Sequence, residues 1–226
     1  MSMLTNLDLI RRVPLFTMLT PAQAESLASA VEKRRFKRGE LIVEQGKKQD
    51  ALFILLAGRA RVVVTDVKAR EVILATLHPG DYIGEMSLID HEPHSANVEA
   101  EVQTDALVLA GSDFTRCLLE NSATVSAVMK GLVQRLRSAD RKIESLALLG
   151  VYGRVANVLL DSGVLIPGPD NMRIIRDKIS RQDIAKMVGA SREMVSRVMK
   201  DFEEQGFIET REDGSVLVNE RRKLAR

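Results

Sequence analysis

The stretch from Arg181 to Val198 reads Arg-Gln-Asp-Ile-Ala-Lys-Met-Val-Gly-Ala-Ser-Arg-Glu-Met-Val-Ser-Arg-Val, and it constrains the fold more than any other part of the chain. Two short helices cross tightly only where side chains are small or apolar, and Ala185 supplies the small residue. Gly189 stands at the turn between them, where a left-handed backbone costs least without a Cβ. Ile184, Val188, Val195 and Val198 fall on faces that can close one shared core. Ser191 stands at the N-cap of the second helix, where its hydroxyl can accept an orphan backbone N–H. Arg192, Glu193, Ser196 and Arg197 then make a polar face at helical spacing, which is where a recognition helix carries its base-reading residues. Arg181 and Gln182, with Ser180 before them, open the first helix and are expected at DNA phosphate. The alternative is an ordinary αα-hairpin with a solvated charged face. The joint occurrence of alanine, glycine, cap and apolar spacing favours a helix-turn-helix on double-stranded DNA.

The 226 residues suit two modest domains or one large one. The net charge of +2 neither supports nor excludes nucleic acid, because a DNA binder needs a local basic surface rather than a basic total. Cys117 is the only cysteine. It excludes an intrachain disulfide, a cysteine-ligated zinc finger and an iron–sulfur cluster within one chain, and it reads as a small apolar helix residue rather than a redox sensor. No metal-ligand spacing stands out. No apolar run approaches the length of a membrane span, and the N-terminus lacks a basic-then-apolar signal pattern. The expectation is a cytoplasmic protein without membrane attachment.

Along the chain, residues from Asn6 to Lys33 read as helical, with Thr20 as an N-cap and Pro21 at the first helical position. From Phe36 to Ala110 the texture becomes short β-rich runs, Leu52–Leu56, Arg61–Thr65, Glu71–Leu77 and Ala106–Ala110, broken by glycine turns. That pattern predicts an antiparallel sandwich or roll. Ser112 and Asp113 are expected to cap one long helix. On it Val128, Leu132, Leu136, Ala139 and Ile143 recur at three- and four-residue steps, a narrow stripe suited to a parallel homodimer seam. Packing of the same stripe on the chain's own roll is the alternative. Gly150 is a candidate hinge, Val151–Leu160 a further helix, Pro167-Gly168-Pro169 a loop, and Thr210–Val218 a small hairpin or wing turning at Asp213-Gly214. The fold class is therefore α+β. Its domains are 1–111, N-terminal helices and a β-rich sandwich or roll, which the resemblance described below makes a β-roll effector-binding domain; 112–149, a long dimerisation helix; and 150–226, a winged helix-turn-helix.

A second polar constellation lies in the roll, Pro79-Gly80-Asp81-Tyr82-Ile83-Gly84-Glu85-Met86-Ser87-Leu88 followed by Pro93-His94-Ser95-Ala96. Gly84 lets backbone amides approach a ligand. A helical turn beginning at Glu85-Met86-Ser87 would offer free N–H groups to an anion, while the Glu85 carboxylate suits a sugar hydroxyl. A plain strand-to-strand turn with incidental polar residues is the alternative reading.

Over nearly its full length the chain resembles the cAMP receptor protein / FNR family of bacterial transcription regulators. The resemblance rests on Ile83–Leu88 with Pro93–Ala96, on Asp140–Leu149 followed by Tyr152-Gly-Arg-Val155, and on Ser180–Arg197. It implies a cyclic-nucleotide-binding-like roll, a dimer helix and a winged helix, with Gly84, Glu85, Met86, Ser87, His94, Ser95 and Ala96 at the ligand and Ala139 and Asp140 facing it from the helix. It also implies a palindromic operator with TGTGA-like half-sites and RNA polymerase as a partner. Two positions depart from the family pattern. The cAMP-binding members carry arginine where His94 stands, and a neutral imidazole lacks that charged fork. They present hydroxyl residues where Ala139 and Asp140 stand. Asp140 can only accept, and guanine offers two adjacent donors, so cyclic di-GMP and cGMP join cAMP as candidate effectors. A surface ion pair of Asp140 with Arg137 or Arg141 is the alternative. Haem sensing finds no firm axial-ligand pattern among His78, His91 and His94.

The reading that results is an effector-controlled, dimeric, sequence-specific DNA-binding regulator. A ligand-independent regulator of the same kind remains open because of His94. A nucleotide-binding module of a kinase or channel would lack the Ser180–Val198 motif. No nucleophile–base set or Walker loop points to an enzyme.

Overall fold

The computed structural model describes residues 4–167, 171–177 and 179–220. The expected loop at Pro167-Gly168-Pro169 lies mostly outside the described residues. The chain forms two compact units that divide between Leu136 and Arg137.

The first unit begins with helix α1 (Asn6–Ile10), a 3₁₀ turn (Pro14–Phe16) and helix α2 (Pro21–Ala30). The Thr20 side chain accepts from the Gln23 amide and Gln23 returns the bond, a complete capping box. The expected helical region ends early, because Glu32 and Lys33 already belong to strand β1 (Glu32–Phe36). Strands β2 (Leu41–Val43), β3 (Ala51–Ala57), β4 (Ala60–Thr65), β5 (Glu71–Leu77), β6 (Tyr82–Ile83), β7 (Asn97–Ala100) and β8 (Thr104–Ala110) follow, with helix α3 (Glu85–Asp90) between β6 and β7. All pairings are antiparallel, in two sheets ordered β1-β8-β3-β6 and β2-β7-β4-β5. The expected roll is present.

Strand β3 shows why its sequence is an unbroken apolar run. Phe53 and Leu55 pack with Phe36, Ile42, Val98 and Ala106 in one core. Leu52 and Ile54, pointing to the opposite face, pack with Ile10, Phe16, Leu27, Leu107 and Phe114 in another. A strand covered on both sides has no polar face to alternate.

The single helix expected from Ser112 is two helices, α4 (Gly111–Glu120) and α5 (Ser122–Leu148). Asn121 separates them in an extended conformation, and its side-chain carbonyl accepts from the Thr124 amide at 2.9 Å. The break is therefore a capped restart rather than a bend. Val128 on α5 is 3% exposed within the core of its own unit, and Leu132 packs against that core. These two members of the expected dimer seam thus serve the roll. Leu136 and Ile143 are 63% and 65% exposed, and Ala139 is exposed as well.

In the second unit α6 (Val151–Ser162) begins after Gly150 and leads to β9 (Val164–Leu165) and β10 (Met172–Ile175). Helices α7 (Arg181–Val188) and α8 (Arg192–Glu204) precede β11 (Ile208–Thr210) and β12 (Val216–Asn219). The wing is larger than the expected hairpin, a four-stranded sheet ordered β11-β12-β10-β9. Val155, Leu159, Ile184, Val188, Val195, Val198, Phe202 and Val218 form its core. Among the described residues no helix is long and apolar enough to cross a membrane.

Candidate functional site

The helix pair α7–α8 is set by three local devices. Ser180 accepts from the Asp183 amide at 3.0 Å and starts α7. Gly189 ends it in the left-handed region at φ 64°. Ser191 accepts from the Met194 amide at 3.2 Å and starts α8. Ala185 is 4% exposed at the crossing. Val195, Val198, Met199 and Phe202 turn one face of α8 into the core. The opposite face presents Arg192, Glu193 and Arg197 exposed, with Ser196 half-buried beside them. Arg181 and Gln182 are exposed on the first turn of α7. The eight expected DNA-facing residues are thus brought to the helix-turn-helix, but Ser180 and Ser191 spend their hydroxyls on capping.

Two anchors of this unit escaped the sequence reading. The Tyr152 hydroxyl on α6 donates to the Asp201 carboxylate on α8, and the Tyr152 ring meets Phe202 edge-on at 5.9 Å. Arg173 on β10 bonds Glu220, the Leu160 carbonyl at 3.1 Å and the Gly163 carbonyl at 3.3 Å, tying the wing to the end of α6. Each is a long-range polar contact with no local signature.

In the roll, Gly84 adopts φ 97° and a Cβ there would lie 2.5 Å from the Ala51 carbonyl oxygen. Close packing on β3 already requires glycine, whatever a ligand asks. Helix α3 begins at Glu85 as expected, and Glu85 is 1% exposed. Arg135 on α5 donates to the Glu85 carboxylate and to the Tyr82 carbonyl, with its guanidinium carbon 5.1 Å from the Tyr82 ring centroid. Burial pushes the Glu85 carboxyl above the usual carboxylate range, and Arg135 opposes that shift. Arg135 was not among the expected site residues. Its register was the available signal, since it continues the roll-facing line of Val128 and Leu132 at steps of four and three.

His94 is buried within this constellation, at 7% exposure. Its Nδ1 lies 2.9 Å from the Ser87 hydroxyl, and burial holds its pKa below the usual histidine value. Ser95 and Met86 are exposed and Ala96 is buried. Ala139 and Asp140 belong to the second unit and are exposed on α5. Among the described residues Asp140 forms neither of the ion pairs, with Arg137 or Arg141, that its sequence neighbours allow. No group of three or more potential metal ligands is gathered among the described residues.

Comparison with known proteins places both halves. The family model described as a cyclic nucleotide-binding domain matches residues 33–121, and that described as a Crp-like helix-turn-helix domain matches residues 153–226. The cAMP-activated global transcriptional regulator Vfr of Pseudomonas aeruginosa is 33% identical over 201 residues, covering 86% of this chain and 92% of Vfr. A CRP-like cAMP-activated global transcriptional regulator of Mycobacterium tuberculosis is 26% identical over 221 residues, 97% of this chain and 98% of that one. The solved structure of the c-di-GMP responsive global regulator CLP of Xanthomonas campestris shares the fold at a TM-score of 0.71 and 22% identity, covering 88% of this chain and 99% of CLP.

Proposed function

This chain belongs to the cAMP receptor protein / FNR family as a DNA-binding transcription regulator, and on that premise we propose that it acts as a homodimer whose hold on a palindromic operator is set by a nucleotide in the β-roll. The observation that carries the DNA half is the recognition face of α8. Arg192, Glu193 and Arg197 stand exposed on a helix fixed from behind by four buried apolar residues. Arg192 and Arg197 suit guanine O6 and N7, Glu193 suits a cytosine amino group, and TGTGA-like half-sites offer both.

The dimer half rests on α5. Met129, Val133, Leu136 and Ile143 are 60%, 49%, 63% and 65% exposed and follow one another at steps of four, three and seven residues. A second copy of the helix, running parallel, would cover them. RNA polymerase completes the partners we assign to it, and regulation rather than catalysis is its role.

The effector half is supported by the relatives, since Vfr is a cAMP-activated regulator and CLP a c-di-GMP responsive one. Asp140 is an exposed carboxylate that can only accept, so a guanine base with two adjacent donors suits it better than adenine. Lacking the family's phosphate arginine, the site should hold cAMP weakly. A charged hydrogen bond contributes about 1.5–3 kcal/mol, or one to two orders of magnitude in affinity.

Titrating a labelled palindromic operator at fixed salt, with and without cAMP, cGMP or cyclic di-GMP, tests the whole reading. We expect operator to bind more tightly than scrambled DNA, and one nucleotide to change that affinity by about 5–150-fold. Equal affinity for both DNAs overturns the sequence-specific role. Specific binding indifferent to all three nucleotides leaves the ligand-independent regulator, the second reading, which the histidine at position 94 favours.

A further inference from the structure

The buried carboxylate of the roll's polar constellation is already balanced. Glu85 is buried against Arg135, and the guanidinium is committed to that carboxylate and to the Tyr82 carbonyl. His94, in the segment that follows α3, has its backbone pinned. Its amide donates to the Lys47 carbonyl at 2.9 Å, and its carbonyl accepts from the Gly46 amide at 2.8 Å. Its Nδ1 is held by Ser87. Its Nε2 is buried and has no hydrogen-bond partner. A polar atom buried in this way is costly to leave unpaired, and each such atom in a folded protein asks for a reason.

The elements bonded to the His94 segment are α3, through Ser87, and the loop that follows β2. The charged groups of α3 are Glu85, paired with Arg135, and Asp90, which accepts from the Glu92 amide. Those of the loop are Glu44 and Lys47, paired with each other at 2.7 Å, and then Lys48 and Asp50. Burial is the only cause that lowers the imidazole's pKa; none of these charges contributes.

We propose that His94 is a proton-linked contact of the effector site: its Nε2 meets a phosphate oxygen of a cyclic nucleotide, and the ring takes up one proton from solvent as the ligand enters. The proposal rests on the reading of the roll as a nucleotide site. The doubly protonated ring donates from Nε2 to the phosphate and from Nδ1 to the Ser87 hydroxyl, whose own hydrogen rotates away. No other bond changes. A ligand phosphate therefore arrives with its compensating charge, at a site where the family arginine would carry a permanent one.

The direction of the pH effect follows. In the free protein burial shifts the ring toward its neutral form. A phosphate beside it favours the charged form. Between the free and the liganded pKa the complex holds one more proton, so affinity rises as pH falls, by at most about tenfold per pH unit. The regulator would then respond to nucleotide more strongly in an acidified cell.

Calorimetry on the full chain with cAMP, cGMP and cyclic di-GMP tests this, between about pH 6 and 8 and in buffers of different ionisation heat. The expected result is uptake approaching one proton per ligand, with affinity falling several-fold per unit as pH rises. His94→Arg should bind more tightly with a flat pH profile, and His94→Gln should bind with a flat profile. The His94 ring resonance of the unaltered protein, followed by NMR with and without nucleotide, gives the same answer independently of how the variants fold; its pKa should rise on binding. Nucleotide binding without proton uptake, or an unchanged slope in His94→Gln, overturns the proton link and leaves the effector reading standing. No binding of any of the three nucleotides at any pH, to the wild type or to His94→Arg, overturns both.

Discussion

Arg135 donates to the carboxylate of Glu85 across an unequal boundary: the Glu85 side chain is 1% exposed and the Arg135 side chain 40%. The two halves of this pair are therefore not equivalent. Removing the arginine leaves a buried, uncompensated carboxylate, whereas removing the carboxylate leaves a guanidinium that water can reach.

Arg135→Ala should accordingly destabilise the chain by about 3 kcal/mol at neutral pH, the low end for breaking a buried pair because one partner is partly solvated. Glu85→Gln should stay within about 1 kcal/mol of wild type. The sign with pH is fixed by the raised carboxyl pKa of Glu85. A raised folded-state value means stability is lost as pH climbs from the ordinary carboxylate range through that value, so the Arg135→Ala deficit should shrink on acidification. Urea unfolding followed by circular dichroism at two pH values measures both. Equal losses in the two variants would contradict the asymmetry.

Gly131 and Tyr82 make a second coupled pair. A Cβ on Gly131 would lie 2.0 Å from the Tyr82 hydroxyl oxygen, which itself sits 3.5 Å from the Val128 carbonyl. Gly131→Ala should cost about 1–3 kcal/mol by overpacking, in spite of alanine's roughly 1 kcal/mol advantage in a helix interior. Tyr82→Phe alone gives up only a long hydrogen bond. Combined, the two substitutions should recover most of the loss, because the oxygen that clashes is gone. A thermal-unfolding double-mutant cycle with no coupling would show that the ring simply moves aside.

The parts of the fold that were legible in the sequence are those whose causes are local. Gly189, Ser180 and Ser191 sit where turn and cap chemistry put them, and the glycine-broken β runs are strands. The order of the sheets was not legible, because pairing β1 with β8 depends on residues some seventy positions apart, such as Arg35 and Asp105. Periodicity found the apolar stripe on α5 but not what covers each part of it. Val128 turned out to belong to its own roll, while Leu136 is exposed. Gly84 was read as room for a ligand, and its proximate reason is the Ala51 carbonyl. The register of Arg135 puts it on the roll-facing line of α5, but only the fold brings the buried Glu85 carboxylate to it.

That division of α5 sharpens the test of assembly. Leu136→Asp replaces a side chain that is 63% exposed in the single chain, so the fold should survive. In a dimer the same position would bury an unpaired charge and the dimer should dissociate. Val128→Asp, at 3% exposure, should instead unfold the first unit. Sedimentation with circular dichroism separates the two outcomes. A Leu136→Asp protein that is folded and still dimeric at micromolar concentration would remove this face from the interface.

The exposed arginines of the helix-turn-helix should divide by what they touch. Arg192 stands next to the Ser191 cap, on the first turn of α8, where a helix entering the major groove meets base edges. Arg192→Ala should cost about 1–3 kcal/mol on operator DNA and relax preference at one base pair. Arg181 opens α7, the helix expected to cross the DNA backbone, and should meet phosphate. Arg181→Ala should then weaken operator and scrambled DNA alike and lower the salt dependence by about one counterion. Ser191→Ala is the structural control. It should cost about 1 kcal/mol of stability through the lost cap while leaving the order of preferred bases unchanged. Binding isotherms on operator, single-substituted operator and scrambled DNA at several salt concentrations distinguish all three. If Arg192→Ala and Arg181→Ala give the same uniform loss, α8 is not reading bases through Arg192.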